Sequence, residues 1–318
     1  MIKNETEVYM LVLSGLSDLP SLQLPLFIVF LLVYLMTLTG NLLIVLLICT
    51  DSHLQTPMYF FLGTLACLDM GYSSVTTPRM LFDFHTQKRL ISIQACITQI
   101  YFFFFFVASE IVLLSVMSYD RYVAICLPLH YTHIMHWKAC VLLVSGALTF
   151  GMIYPLPHSV LFFKLTFCSS KPLQSFFCDI PQLLQVSCSD TFINLLLVLF
   201  CGILFGGGIF ALTFYPYIII LNTIMKIPSK AMRSKAFSTC SSHLTIVFLF
   251  YGTSFFNYFD PNAKDSRAAS VFYAVLTPLL NPLIYSLRNQ DLKKSLTRSK
   301  HHLKMNRGTF NCLHGPRS

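Results

Sequence analysis

Long apolar runs broken by short polar connections dominate this 318-residue chain. Seven of them, at 24 to 49, 58 to 83, 97 to 126, 139 to 162, 192 to 225, 237 to 259 and 269 to 287, suit the roughly 20 residues that a bilayer-spanning helix needs. A helix satisfies its own backbone hydrogen bonds in lipid, so the pattern predicts an all-α membrane protein, a bundle of seven transmembrane helices. Within each span, residues at i, i+3, i+4 and i+7 share a face. Phe104, Val107, Ala108 and Ile111 therefore form one wall of an apolar cavity in the outer half of the bundle, and Tyr251, Phe255 and Tyr258 another. The five phenylalanines Phe102 to Phe106 cannot all face that cavity at about 100° per residue, so most of them meet lipid or neighbouring helices. Gly206, Gly207 and Gly208 predict a close helix approach or a bend.

Composition agrees with the pattern. Hydrophobic residues make up 55% of the chain and charged residues 11%, against about a quarter charged in soluble domains; the mean hydropathy is +0.66. With the seven spans in place, 14 of the 22 Lys and Arg residues, Arg121, Lys138, Arg233, Lys235 and Arg288 among them, fall on the side that holds the C-terminal tail. The positive-inside rule makes that side cytoplasmic and the N-terminus extracellular. The net charge of +9 then belongs to an inner surface facing lipid and partners, not to a nucleic-acid binder. The first apolar stretch is too long for a signal-peptide core and lacks a small-residue cleavage site, so it reads as an uncleaved first helix. The domain boundaries follow: an extracellular segment at 1–23, the membrane domain at 24–287 and a cytoplasmic tail at 288–318. Asn4-Glu5-Thr6 is a glycosylation acceptor on the outer side.

Eleven cysteines divide by compartment. Cys96, Cys168, Cys178 and Cys188 fall on the oxidising side and allow three pairings. Joining Cys96 to Cys178 would tie the long outer connection across the bundle mouth; joining Cys168 to Cys188 would close that connection on itself. The other seven, including Cys312, read as reduced packing thiols. His130, His133 and His136 recur every three residues, but no Cys or carboxylate lies beside them to complete a metal site. The chain has no Gly-Lys-Ser phosphate loop, no His-Glu-x-x-His and no Gly-x-Ser-x-Gly, so an enzyme reading has no residues to stand on.

Charge inside the spans is scarce and therefore informative. Asp120, Arg121 and Tyr122 end the third apolar run, where a guanidinium can pair with a carboxylate or reach water. Asp69 and Glu110 lie inside two separate spans; one central Asp costs about 2.5–3.5 kcal/mol on insertion scales unless it is hydrated, protonated or shared with a cation. Pro282 frees a carbonyl in the seventh span and makes a bendable joint beside Asn281. Beyond it, 288 to 300 is basic, with Leu292 and Leu296 four apart, as expected of a short amphipathic helix lying on the inner leaflet.

Nearly the whole chain resembles the odorant receptors, a branch of the rhodopsin-like (class A) G-protein-coupled receptors. The resemblance rests on Gly40-Asn41, on the string from Leu54 to Leu62, and on Met117 to Cys126 followed by Leu127 to Tyr131. It continues through Lys235 to Leu244 and Pro278 to Asn289. Phe250-Tyr251-Gly252 stands where most of the superfamily carries a Trp-containing motif, and the outer connection has an extra cysteine pair. Gln55 departs from the usual His, and Pro216 from the usual Ser before Tyr217; Pro216 predicts a kink in the inner half of the fifth span.

The resemblance implies a plasma-membrane, multi-pass receptor that binds an odorant and activates a heterotrimeric G protein of the stimulatory olfactory type, raising cyclic AMP. It implies that Arg121 pairs with Asp120 at rest and faces the G protein when active, with Tyr122, Tyr217, Lys235, Asn281, Pro282 and Tyr285 completing the switch. It places Asp69 and Glu110 near Asn41, Asn281 and Ser286 as a sodium or proton site favouring the idle state; no other cofactor is implied. No acid lies one or two turns inside Cys96 to anchor an amine, so volatile, largely apolar ligands fit, with Ser254 or Tyr258 offering a hydrogen bond. The second reading is a small transporter or channel using Asp69 and Glu110, which would call for inverted repeats or paired broken helices.

Overall fold

The structure, a computed structural model, describes residues 10–17, 19–167, 172–259, 271–289 and 291–298. Seven long helices follow in order. The first is Pro20–Thr50, the second Pro57–Thr86 and the third Ile93–Cys126. The fourth spans Trp137–Ile153 and, after a break, Leu156–Phe162; the fifth spans Phe192–Met225; the sixth is Lys230–Phe259; the seventh ends as Thr277–Arg288. Local chemistry sets the boundaries. Proline opens the first two helices, where its missing N–H costs nothing. The Ser92 hydroxyl caps the third by accepting from the Ala95 amide at 3.2 Å. Gln87 ends the second in the left-handed region at φ 55°.

The first, third, fourth and fifth helices are long and apolar enough to cross a membrane on composition alone. The second, sixth and seventh carry more polar residues and turn them inward. Asp69, Ser73, Thr76 and Thr77 of the second are buried, as are Ser242 and His243 of the sixth and Thr277 and Asn281 of the seventh. The third helix is the most enclosed of the apolar four, with Phe103, Leu113, Met117 and Val123 fully buried, and the fifth is the least.

Glycine sets the spacing at one crossing. A Cβ on Gly151 would lie 2.0 Å from Ser109 Oγ and 2.7 Å from the Phe105 carbonyl, so the third and fourth helices touch almost backbone to backbone. Gly206, Gly207 and Gly208 do not provide a second close approach, because a Cβ on any of them would meet nothing within 4 Å. The fifth helix widens into a π turn over Gly202–Gly207, and it stays helical through Pro216.

The outer end is closed by backbone pairing and a disulfide. Met10–Val12 pairs antiparallel with Leu90–Ser92, Leu11 opposite Ile91, and Leu173 of the outer connection bonds to both Val12 and Ser14. The Arg89 guanidinium donates to the Ser14 carbonyl and, at 2.5 Å, to that of Ser17. Cys96 and Cys178 form a buried disulfide, tying the third helix to the outer connection. Cys188 is also disulfide-bonded, and its expected partner Cys168 lies outside the described residues, as does Asn4.

At the inner end, residues 291–298 form a further helix. Its apolar pair does not face the leaflet. Leu292 is buried in the same core as Leu54 and Leu62, and Leu296 packs at the edge of that core. Asn289 Oδ1 caps this helix by accepting from the Asp291 and Leu292 amides, and it also accepts from the Tyr59 hydroxyl at 3.1 Å. Arg298 bonds Asp51 at 2.7 Å. The neighbouring Ser295 hydroxyl, the His53 amide and ring, and Arg298 hold the Asp51 carboxyl well below its usual range. The helix is thus docked to the first and second helices through capping and charge as well as by its leucines.

Gly151→Val is the direct test of the third–fourth crossing. Forcing a side chain into that contact should cost about 1–3 kcal/mol, lowering the thermal midpoint of the receptor in detergent, whereas Gly146→Val, with open space around it, should leave the midpoint near wild type.

Candidate receptor switch and binding site

The third helix delivers Asp120 and Arg121 to the inner end on adjacent positions. Asp120 is fully buried and accepts from Arg121 through Nε at 3.0 Å and through Nη2. Its other oxygen accepts from the Tyr131 hydroxyl at 2.8 Å. Tyr131 opens a one-turn helix, Tyr131–Ile134, in the connection that follows, so the carboxylate fastens that connection to the third helix. Burial, and then the Asp120 charge beside it, push the Tyr131 phenol above its ordinary value, which keeps it a proton donor at every physiological pH.

Opposite this cluster, the fifth and sixth helices contribute Tyr217 and His243, both buried. The Tyr217 hydroxyl is hydrogen-bonded to His243 Nδ1 and the rings stack 5.8 Å apart. Tyr122 packs against the apolar group around Tyr217, with Ile220, Ile224 and Cys240. Two further bonds link the helices one level out: Ser118 Oγ donates to the Thr213 carbonyl at 2.6 Å, and Thr213 Oγ1 bonds the Tyr251 hydroxyl at 3.2 Å.

Asp69 and Asn281 meet in the bundle centre, where Asn281 Nδ2 donates to both carboxylate oxygens at 2.9 and 3.0 Å. Glu110 is buried within reach of the Asp69 charge, and among the described residues neither of its oxygens has a hydrogen-bond partner. Asn41 donates to the Thr37 and Pro278 carbonyls, while its own Oδ1 is unpartnered. Pro282 lies against Gly40, with 3.5 Å from its ring to a Cβ built on that glycine. The side chains of Lys235, Tyr285 and Ser286 lie outside the described residues.

The two sequence-derived ligand walls fare differently. Phe104, Val107 and Ile111 are half-buried and Ala108 is buried, all on the inward side of the third helix. Of the five phenylalanines, Phe103 is fully buried and Phe102 is 46% exposed. Tyr251 is half-buried among Phe210, Phe214 and Phe250. Phe255 is 59% exposed and does not share an interior wall with it; four residues advance a helix by about 400°, which from the edge of the inner face is enough to turn a side chain outward. Ser254 Oγ donates back to the Phe250 carbonyl at 2.8 Å, and the Tyr258 side chain lies outside the described residues.

Sequence reasoning gave no role to Tyr131 or His243. His243 carried a usable signal, since an ionisable residue inside a span is functional by default. Tyr131 carried none, because a tyrosine in a short connection is unremarkable until the fold brings it to Asp120.

A seven-helix bundle with a disulfide across one mouth and a buried acid–arginine pair at the other defines the class of rhodopsin-like, G-protein-coupled receptors. The crystal structure of squid rhodopsin has this fold, superposing with a TM-score of 0.69 over 91% of this chain and 88% of its own at 17% identity. A family model described as olfactory receptor matches residues 30–302. Human olfactory receptor 5B12 is 46% identical over 94% of this chain and 96% of its own length. Mouse olfactory receptor 5AR1 is 48% identical, covering 92% and 95%. The chain belongs to the olfactory receptor family. It is accordingly a multi-pass plasma-membrane receptor, not an enzyme, with a small-molecule ligand and a G protein as partners.

Tyr131→Phe removes one hydrogen bond from Asp120 without disturbing its pairing with Arg121. Loss of about 1 kcal/mol from the resting arrangement should raise ligand-independent G-protein activation about fivefold in membranes carrying equal receptor; unchanged basal turnover would detach Tyr131 from the switch.

Proposed function

We propose that this receptor binds small, volatile, largely apolar odorants in the outer half of the bundle and responds by activating a stimulatory olfactory-type G protein, raising cyclic AMP. The observation that carries the reading is the buried Asp120 carboxylate clasped by Arg121 and Tyr131 at the inner end. Released from it, Arg121 is a strong donor fork beside Tyr217 and His243, able to engage backbone carbonyls of an inserted partner helix. Phe104, Val107, Ala108 and Ile111 supply an inward apolar wall on the same helix, and Tyr251, through Thr213, connects the sixth helix to the fifth at a matching depth. Lys235, Asn281, Pro282 and Tyr285 belong to the same switch by family likeness. Coupling to a stimulatory G protein likewise draws its support from the family, and so do glycosylation at Asn4 and the pairing of Cys168 with Cys188.

Asp69 and Glu110 form a site for sodium, or for a shared proton, that holds the resting state. Two neighbouring buried carboxyl groups cannot both keep their charge without a cation. The unpartnered oxygens of Glu110 and Asn41 are the hard donors that such an ion prefers. A transporter reading finds less support: Asp69 is tied to Asn281 in one central cluster, and a conduction path would need such groups in series.

Two measurements test this reading. Cells expressing Arg121→Ala at wild-type surface density should lose the cyclic-AMP response to every odorant that activates the parent, and a retained response would overturn the switch. In membranes, replacing an organic cation with sodium should depress basal nucleotide exchange in wild type and not in Glu110→Gln; sodium sensitivity that survives Glu110→Gln would remove the ion from that site.

A further inference from the structure

Two buried histidines occur among the described residues, and only one of them is explained by the switch. His243 is bonded to Tyr217 through Nδ1, while its Nε2 has no partner among the described residues. His158 is 4% exposed, sits in the outer part of the fourth helix, and its Nε2 has no hydrogen-bond partner among the described residues. A buried, unsatisfied imidazole nitrogen costs free energy that apolar packing does not return. Such a group persists in a folded protein where something else completes it.

Its surroundings say what that something is. The fourth helix breaks at Tyr154-Pro155, and the turn that resumes at Leu156 carries His158 inward between the third and fifth helices. The Tyr154 ring lies 5.7 Å from the imidazole and is flanked by Phe104 at 6.4 Å, Phe150 at 5.6 Å and Phe205 at 6.0 Å. Rings from the third, fourth and fifth helices thus pack on Tyr154, whose own ring borders the imidazole. Phe104 belongs to the inward wall already assigned to the ligand. Phe205 stands within the π turn Gly202–Gly207, a wider turn than the α-helix on either side of it.

We propose that His158 is the polar anchor of the odorant site, taking through Nε2 one hydrogen bond with the single oxygen of an uncharged molecule whose flat apolar body lies among Tyr154, Phe104 and Phe205. A neutral imidazole nitrogen donates to a carbonyl in one tautomer and accepts from a hydroxyl in the other, so aldehydes, ketones and alcohols share the site. None of the aromatic neighbours brings a cation, which disfavours a carboxylate. The inference rests on the odorant reading above and gives it a substrate class and a specificity-determining residue that the sequence-derived walls did not contain.

The test uses the full receptor in lipid nanodiscs, titrated with benzaldehyde, benzyl alcohol, benzoate and toluene, reading the thermal midpoint, with cyclic AMP measured in parallel in cells. In wild type, benzaldehyde and benzyl alcohol should raise the midpoint more than toluene and benzoate do. His158→Leu should weaken both oxygenated probes about tenfold, the worth of one buried hydrogen bond, and leave toluene unchanged; His158→Gln should recover part of the loss. Because ligand-free midpoints are compared first, a variant that merely misfolds is recognised, and Phe205→Ala, which should weaken all four probes alike, gives an independent check on the enclosure. Unchanged affinity in His158→Leu, tighter binding of benzoate than of benzaldehyde, or no binding of either oxygenated probe to wild type would each overturn the proposal. Binding that depends on His158 without a cyclic-AMP response would uphold this anchor while sinking the signalling reading.

Discussion

A carboxylate taken out of water and out of reach of lipid headgroups has to be answered by donors inside the protein, and the inner end of this receptor is organised by that demand at Asp120. Arg121 supplies two N–H groups and Tyr131 a hydroxyl. The Tyr131 bond makes the connection after the third helix part of the same unit. Removing one partner from a buried pair of this kind costs about 3–5 kcal/mol, because the remaining charge is stranded. The resting state therefore cannot leak open by thermal motion of Arg121 alone; the guanidinium leaves only when new partners or water reach both groups at once. That condition is what the proposed switch requires of the pair.

The same demand explains which parts of the molecule were legible from sequence. The apolar runs gave the helices and nearly their ends, since a span of the right length has few alternatives in lipid. The resemblance put Asn281 near Asp69, and the two are hydrogen-bonded. Facing was harder to read. Phe255 looked inward by helical spacing yet turns out, since a wall drawn at i and i+4 drifts around the helix and its edge falls on either side of the boundary. The glycine triplet pointed to a close approach or a bend; Gly206 and Gly207 lie in a widened turn, and all three have open space around them. Leu292 and Leu296 had the spacing of a membrane-surface helix, but the cap from Asn289 and the ion pair between Arg298 and Asp51 rotate them onto the core. In each case the deciding partner comes from a distant part of the chain, and periodicity carries no information about it.

Rigidity is distributed unevenly as a result. The third helix is held by a disulfide at one end, by the close crossing at Gly151 in the middle and by the Asp120 cluster at the other. The fifth helix has few buried residues, a π turn in its outer half and a proline in its inner half. Its inner half packs Tyr217, Ile220 and Ile224 into an apolar group, and hydrogen bonds join it to its neighbours: Thr213 to Ser118 and Tyr251, Tyr217 to His243, Thr223 to Cys126. Hydrogen bonds of this kind can exchange partners at small net cost.

This contrast bears on how an event at the outer end reaches the inner one. The third helix runs 34 residues, about 50 Å at 1.5 Å per residue, and is too firmly seated to act as a piston. The fifth and sixth helices offer the alternative. On the proposal made above, a molecule lodged against Phe205 would press on the π turn, the segment directly before the stretch that carries Thr213 and Tyr217. Thr213 links that stretch to Tyr251, and Tyr217 links it to His243, so the fifth helix is hydrogen-bonded to the sixth at two levels. A ligand moves this equilibrium only by the difference in its affinity for the two arrangements. The groups best placed to create that difference are those whose surroundings change with the fifth helix; Phe205 and its neighbours around His158 meet that condition, and the fixed wall on the third helix does not.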